Sequence, residues 1–375
     1  MSQSLPKILV TSAAGHIGRP TVLNLLENGF HVRAFVRQID GRSDSLARAG
    51  AEIFAGNLAD IRDLRRAMAG IDRAFHCPPF SPNSLNDNVL FAIAAEESKL
   101  EVVALMTAWN IHATHPSVHQ RGHWMGEEVF RWMPSVDVIH LRPGLFAFPY
   151  FLGLPAVVHF GQLLLPLGDA HNAPPSNEDI AKVAGAVIAD PSPHIGKTYR
   201  PTGPTLVTAQ DVAETFGRVL GRKVIHRDIS YNLFQKAALA QGYPISQIAH
   251  MRYYAEEARK GVYAIGAPTD HVLAVTGNEA ESFETTARRY ISDPSLIFPE
   301  LQIGTRLESL AGLGKTLLTR PRDLDAWERQ RGYPLLRNPQ LAHQSDTWVE
   351  TARNIADSRQ PRAEKLDTNV QRLPA

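Results

Sequence analysis

The chain has 375 residues, 44% hydrophobic and 21% charged, a balance that fits an ordinary globular protein and excludes a disordered or membrane-embedded one. Thirty-nine Lys and Arg against 38 Asp and Glu leave a net charge of +1, so no bulk field points to nucleic acid or an anionic membrane. The single cysteine, Cys77, excludes an intramolecular disulfide and a cysteine-built zinc site, which suits a reducing cytosol. Met1 to Lys7 lacks the succession of a secretory leader, and no run nears the roughly 20 apolar residues of a membrane span, so the expectation is a cytoplasmic protein without membrane contact.

From Lys7 to Gly144, short β-branched runs alternate with amphipathic stretches, the pattern of βαβ units around a parallel sheet. Six strands are expected: Ile8 to Thr11, His31 to Arg37, Glu52 to Ala55, Arg73 to Cys77, Glu101 to Met106 and Asp137 to Leu141. Helices are expected at Arg19 to Asn28, with Pro20 in its first turn and Gly29 at its end, and at Ile61 to Ala69, stopped by Gly70. Two more fit Asn86 to Lys99 and Pro116 to about Met133, ahead of Pro134.

After Gly144 the alternation gives way to an apolar, aromatic stretch from Leu145 to Leu167. Helices resume at Asp179 to Ala189 and at Ala209 to Leu220, closed by Gly221, and the segments to about Ser292 read as mostly helical. Beyond Asp293 the composition shifts to Arg, Asp, Gln and Pro, with a helical patch at Ser345 to Asp357 and a polar tail of disordered character. No internal repeat is present. The fold class is therefore α/β: a doubly wound parallel sheet of the Rossmann kind with a smaller, mostly helical lobe and a C-terminal extension. The expected division is 1–150 for the sheet domain, 151–292 for the lobe, either ligand-facing or a buried subdomain, with segments returning to that domain, and 293–375 for the extension.

Between the first strand and first helix stands Thr11-Ser12-Ala13-Ala14-Gly15-His16-Ile17-Gly18, with Ser12, Gly15 and Gly18 at three-residue spacing. Small residues let backbone approach a pyrophosphate, and the following helix N-terminus offers N–H groups and the positive end of its dipole. Thr11, Ser12, Ala14, Gly15, His16, Ile17 and Gly18 are thus candidate cofactor contacts. Ser12 takes the place of the usual first glycine, and its hydroxyl is a further candidate phosphate donor. At the tip of the second strand, where an NAD-specific site needs a carboxylate for the ribose 2′-hydroxyl, stands Arg37. A guanidinium pairs with a 2′-phosphate that a carboxylate repels, so NADPH is favoured over NADH; Arg33 and Arg42 are weaker alternatives for that phosphate.

These residues resemble the NmrA-like branch of the atypical short-chain dehydrogenases. The resemblance runs to about Ile291 and is carried by Ile8 to Arg19, Val32 to Arg37, Gly56 to Asp60, Cys77-Pro78-Pro79 and Leu141 to Phe146, then by Glu178 to Ala181, Gly196 to Tyr199 and Thr202 to Pro204. It implies a Rossmann domain with a small, discontinuous substrate lobe. It also implies Asn57 and Leu58 at the adenine, Cys77, Pro78 and Pro79 at the cofactor ribose, and Pro143, Gly144 and Phe146 near the nicotinamide, with Thr107 in the same set. Asn57 stands where the family usually has Asp, a change that a neutral amide acceptor can serve.

Classical members of that superfamily carry a Tyr and, four residues later, a Lys on the helix after the fifth strand. Here His119 stands at the Tyr position and His123 at the Lys position. Four-residue spacing puts both imidazoles on one helical face, and an imidazole titrates near neutrality, so His119 is the candidate acid and His123 the candidate that orients the nicotinamide ribose. His112 and His115 extend the series and invite a metal site, but Pro116 interrupts the helix and no carboxylate or cysteine completes the set, so none is expected. Ser309 to Thr316 imitates a phosphate loop but lacks its first glycine and a preceding buried strand. The Arg-rich segment from Arg320 is interspersed with Asp and Glu, so it reads as a solvated or subunit-contacting extension rather than a nucleic-acid patch.

The expectation is an NADPH-dependent reductase of a small apolar or aromatic carbonyl, imine or quinone-like compound held under Phe146, Phe148, Tyr150 and Phe151. Its partner is that small molecule and not nucleic acid, and a homo-oligomer is left open. Two alternatives stand beside it: a non-catalytic NAD(P)-sensing regulator, and a cyclase or isomerase on the same fold.

Overall fold

The protein was analysed as a computed structural model, which describes residues 5–296 and 303–356. All six expected strands form, within one residue of the expected ends: β1 (Lys7–Val10), β2 (His31–Val36), β3 (Glu52–Ala55), β4 (Arg73–His76), β5 (Val102–Met106) and β6 (Asp137–Leu141). Alternating side chains serve opposite layers, as a two-residue period requires. Ile8 and Val10 join Val22 and Leu25 on one face, and Leu9 joins Leu64, Phe91 and Phe130 on the other. The helices of the two layers are α1 (Gly18–Glu27), α2 (Gly41–Arg48), α3 (Ile61–Met68), α4 (Ser84–Ser98) and α5 (Val118–Arg131).

The sheet is parallel and has seven strands in the order β3-β2-β1-β4-β5-β6-β8. The direction of winding reverses between β1 and β4, which opens a crevice at the carboxyl ends of the strands, where ligands bind in such sheets. The seventh strand, β8 (Thr198–Tyr199), has only two residues, too few for a periodicity to register. The unexpected α2 is mostly polar, with Leu46 buried against the sheet; it starts where the Asp40 carboxylate and the Ser43 hydroxyl close a reciprocal cap.

After α6 (Leu154–Phe160), β7 (Gln162–Leu165) pairs in parallel with β9 (Ile225–Asp228), so the apolar stretch conceals a strand. α7 (Asn177–Ala189) returns to pack on α1, while α8 (Ala209–Leu220) supports the small sheet. Then come α9 (Tyr231–Ala240), α10 (Ile245–Arg259), α11 (His271–Thr276) and α12 (Phe283–Ser292). Phe151, Phe216, Phe283 and Tyr290 form an aromatic core for this part of the molecule.

Three further helices follow: α13 (Arg306–Leu318), α14 (Leu324–Gln330) and α15 (Asp346–Ala356). The imitation phosphate loop, Ser309 to Thr316, lies inside α13 and is no loop. α15 is anchored by Trp348, which packs edge-on to Trp109 and donates its indole N–H to the Trp109 carbonyl at 2.9 Å. The polar tail from residue 357 lies outside the described residues. Among the described residues no helix is long and apolar enough to cross a membrane.

Candidate functional site

The loop after β1 is a cradle made by backbone. Ser12 holds a left-handed conformation (φ 48°) that turns the chain, and Gly15 donates its N–H to the Ser12 carbonyl at 2.8 Å. A Cβ on Gly18 would lie 2.2 Å from the Ser12 oxygen, so nothing larger than glycine fits where α1 meets the turn. No side chain caps the N-terminus of α1. A cradle closed to any side chain, opening on a helix N-terminus, fits a pyrophosphate.

Two loop residues act differently from expectation. The Ser12 hydroxyl donates to the Cys77 carbonyl at 2.7 Å, so its proton ties β1 to β4 and is not offered to phosphate. Thr11 is fully buried and accepts the Cys77 N–H at 2.9 Å, bracing the same seam from beneath. Both hold the floor of the crevice in place.

Arg37 directly follows β2, with its side chain exposed. Arg33 is removed as an alternative: its guanidinium is turned inward and bonded to Glu52 and to the Ala67 and Ala69 carbonyls. Arg42 pairs with Asp40, whose carboxyl it holds well below the usual range through that hydrogen bond. Asn57 is exposed after β3 and accepts the Ala59 N–H, whereas Leu58 is buried in the core.

One cavity of about 600 Å³ runs from the cradle into the lobe. The loop contributes Ser12, Gly15, His16, Ile17 and Gly18 to its wall. Cys77, Pro78 and Pro79 after β4 form the next section, joined by Thr107 after β5 and by Gly144 and Phe146 after β6. Burial pushes the Cys77 thiol up to about 12, which makes it an inert wall rather than a nucleophile. Phe148 and Tyr150 also line the cavity, and the His16 ring stacks on Phe148 at 5.2 Å. Thr11, Ala14, Arg37, Asn57, Leu58 and Pro143 stand outside it. Phe151 is corrected: it is fully buried in the aromatic core behind the wall and faces no ligand.

Beneath Thr107 lies a buried ion pair. The Glu127 carboxylate receives the Arg142 Nε at 2.9 Å and the Thr107 hydroxyl at 2.5 Å. Burial alone would raise the Glu127 pKa, but the Arg142 charge and these bonds hold it down to about 2. α5 can seat Glu127 there because Gly126 faces α4 closely; a Cβ on Gly126 would lie 2.3 Å from the Asn88 amide nitrogen.

His119 and His123 both reach the cavity wall, with their Nε2 atoms 3.1 Å apart. His119 Nδ1 lies 3.0 Å from the Ser81 carbonyl, which can only accept, so that nitrogen carries the proton. Its Nε2 then accepts from the His123 Nε2–H, and His123 Nδ1 is left as a buried acceptor without a partner among the described residues. The expectation that these imidazoles titrate near neutrality fails. Burial, then neighbouring histidines, holds His119 well below its ordinary value, and burial brings His123 to about 4. His112 and His115 face the Thr114 hydroxyl and Glu257 instead. Among the described residues, no three His, Cys, Asp or Glu side chains are placed to hold a metal ion.

The far wall went unread in the sequence. It comes from α9, α10 and the turn between them: Phe234, Tyr243, Gln247, Met251 and Tyr254, with Phe80 from the loop after β4. Apolar positions on helices read as ordinary core, so no spacing marked them.

The sequence model of the NmrA-like family matches residues 5–105, which bears out the resemblance carried by the N-terminal motifs. The chain is 27% identical over 290 residues to an NAD(P)H azoreductase of Xenophilus azovorans, covering 76% of this chain and 97% of that protein. Its fold is that of an NADPH-dependent quinone oxidoreductase of Escherichia coli solved with NADPH, at 20% identity and a TM-score of 0.66, covering 76% of this chain and 99% of the other. It is also that of NmrA, a negative transcriptional regulator solved with NADP, at 16% identity and a TM-score of 0.64, covering 80% and 99%. These relatives are spanned almost end to end, so this chain carries additional length of its own.

Proposed function

We propose that the protein is an NADPH-dependent reductase of electron-poor conjugated aromatic compounds of the quinone or azo type. The observation that carries this is the continuity of the cavity: a phosphate cradle at one end opens without interruption into an aromatic chamber at the other. A protein that only senses the dinucleotide needs no such chamber. Similarity to the azoreductase and to the quinone oxidoreductase supports the same reaction class.

The residues present fit the cofactor. The cradle from Ser12 to Gly18 would hold the pyrophosphate, Arg37 the 2′-phosphate, and the loops at Cys77 to Pro79 and Gly144 to Phe146 the ribose and nicotinamide. When bound, NADPH supplies a hydride. In quinone reduction, hydride from NADPH and one proton from water give hydroquinone and NADP⁺. A phenol-like product, with a pKa of about 10, carries its negative charge in water far more readily than an alkoxide would. No Tyr and Lys pair is then required to deliver a proton in the transition state, which accounts for two neutral histidines where that pair stands in classical relatives.

His119 and His123 accordingly serve as a neutral, mutually hydrogen-bonded pair in the wall beside the nicotinamide. The test is purified protein with NADPH and a panel of quinones, azo compounds and simple ketones, followed by loss of the reduced-nicotinamide absorbance. Turnover of quinones or azo compounds but not ketones, with kcat level across neutral pH, supports the proposal. Tight NADPH binding with no oxidation by any acceptor would favour a sensor. Unchanged rates in both His119→Ala and His123→Ala would remove the pair from the reaction.

A further inference from the structure

We infer that the chamber selects acceptors without negative charge, rejecting sulfonated or carboxylated aromatics of the same ring system, and that a cation introduced at Gln247 relaxes this selectivity. The inference rests on the reductase reading and specifies its substrate class.

Among the described residues, no Lys, Arg, Asp or Glu lines the cavity along its whole length. The chamber end is walled by Phe80, Phe148, Phe234, Tyr243, Met251 and Tyr254, whose rings and thioether carry no charge. Such a wall accepts a neutral or charge-delocalised ring and offers an anion no counter-charge for the hydration it loses. The histidines give no counter-charge either. Burial, then Arg42, lowers the pKa of His16, and His119 and His123 are held low as described.

Charged groups behind the wall are turned to other partners. Arg142 is bound to Glu127, and Glu257 accepts from the Ala342 N–H at 2.8 Å and lies 3.2 Å from His115. Arg200 lies behind Gly144, stacked 3.6 Å over Trp109, with its terminal nitrogens donating to the Tyr263 and Ile265 carbonyls. An anionic substituent entering the chamber would lose its hydration and meet no cation, an arrangement that proteins avoid because unpaired buried charge is costly.

Gln247, in the first turn of α10, is the one side-chain amide in the cavity wall among the described residues, and it is half-buried. Its side chain is close in length to lysine, so a cation placed there would stand in the chamber wall without replacing an aromatic face.

The test compares a neutral naphthoquinone with its sulfonate, using NADPH and the full-length protein, and measures kcat/KM for both together with binding of each by calorimetry. The inference expects kcat/KM and affinity for the neutral quinone to exceed those for the sulfonate by at least about a hundredfold. In Gln247→Lys that ratio should narrow by at least about tenfold. Sulfonate turned over within about threefold of the neutral quinone by the unaltered protein would overturn the inference while leaving the reductase reading intact. A folded Gln247→Lys protein with an unchanged ratio would overturn the missing counter-charge as the cause of the selectivity. Failure to turn over either compound, despite bound NADPH, would overturn the reductase reading and the inference with it.

Discussion

The two ends of the cavity are built on opposite terms. At the cradle, recognition is by backbone: a left-handed Ser12, a Gly18 with no room for a Cβ, and a helix N-terminus without a side-chain cap. At the chamber, recognition is by side-chain surface: rings from α9 and α10 with no ion among them. A backbone site fixes residue types at fixed intervals, whereas an apolar chamber fixes only a volume and a polarity. One end therefore tolerates almost no substitution, and the other can be reshaped residue by residue.

The largest effect should come from the buried ion pair beneath Thr107. Glu127→Ala leaves the Arg142 guanidinium buried and unpaired, and should cost about 3–5 kcal/mol of stability in a denaturant titration. A loss below about 1 kcal/mol would mean the charge escapes to water and the pair does not brace the floor.

Gly18→Ala should come next. Its Cβ would meet backbone rather than a movable side chain, so the turn must open, and NADPH affinity should fall at least about a hundredfold. The comparison predicts a milder response at the chamber: Met251→Leu, a change of similar volume, should leave NADPH affinity within about threefold. Equal losses from both substitutions would erase the distinction between the two ends.

Acid should act through buried histidines, of which His123 stands in the cavity wall. His76, His112 and His123 are buried, and burial lowers them to about 3, 3 and 4 respectively. Their folded-state values lie below the unfolded value of about 6.5, so below that pH the unfolded chain takes up protons that the folded chain does not. Stability is thus full above about pH 6.5 and falls as the pH drops, by up to about 1.4 kcal/mol per pH unit for each such histidine. Thermal melting from neutral to mildly acidic pH should show this decline, and His76→Asn should flatten it. A melting temperature level over that range would contradict the burial of these rings.

The same contrast explains what could be read from sequence. β1 to β6 were legible because strands buried on both faces must be compact apolar runs, and the cradle because glycine spacing is a direct trace of backbone geometry. The mostly polar helix α2 was not, since its start is marked by a cap between Asp40 and Ser43 rather than by an apolar stripe. β8 was too short to show a period. Phe148, Tyr150 and Phe151 looked alike in sequence, yet the first two face the cavity and the third turns into the core. Phe234, Tyr243 and Met251 were invisible as a site because a chamber wall and a helix core use the same residues. Proximity of His119 and His123 was legible from their spacing, but their protonation was not, because burial is a property of the whole fold.

The most direct test is a single turnover of the protein loaded with NADPH deuterated at nicotinamide C4 and mixed with a neutral quinone. If cradle and chamber serve one reaction, NADPH absorbance should decay in one phase that is slower with the label on the transferred face than with unlabelled cofactor. NADPH that stays reduced through many times the expected turnover would contradict it.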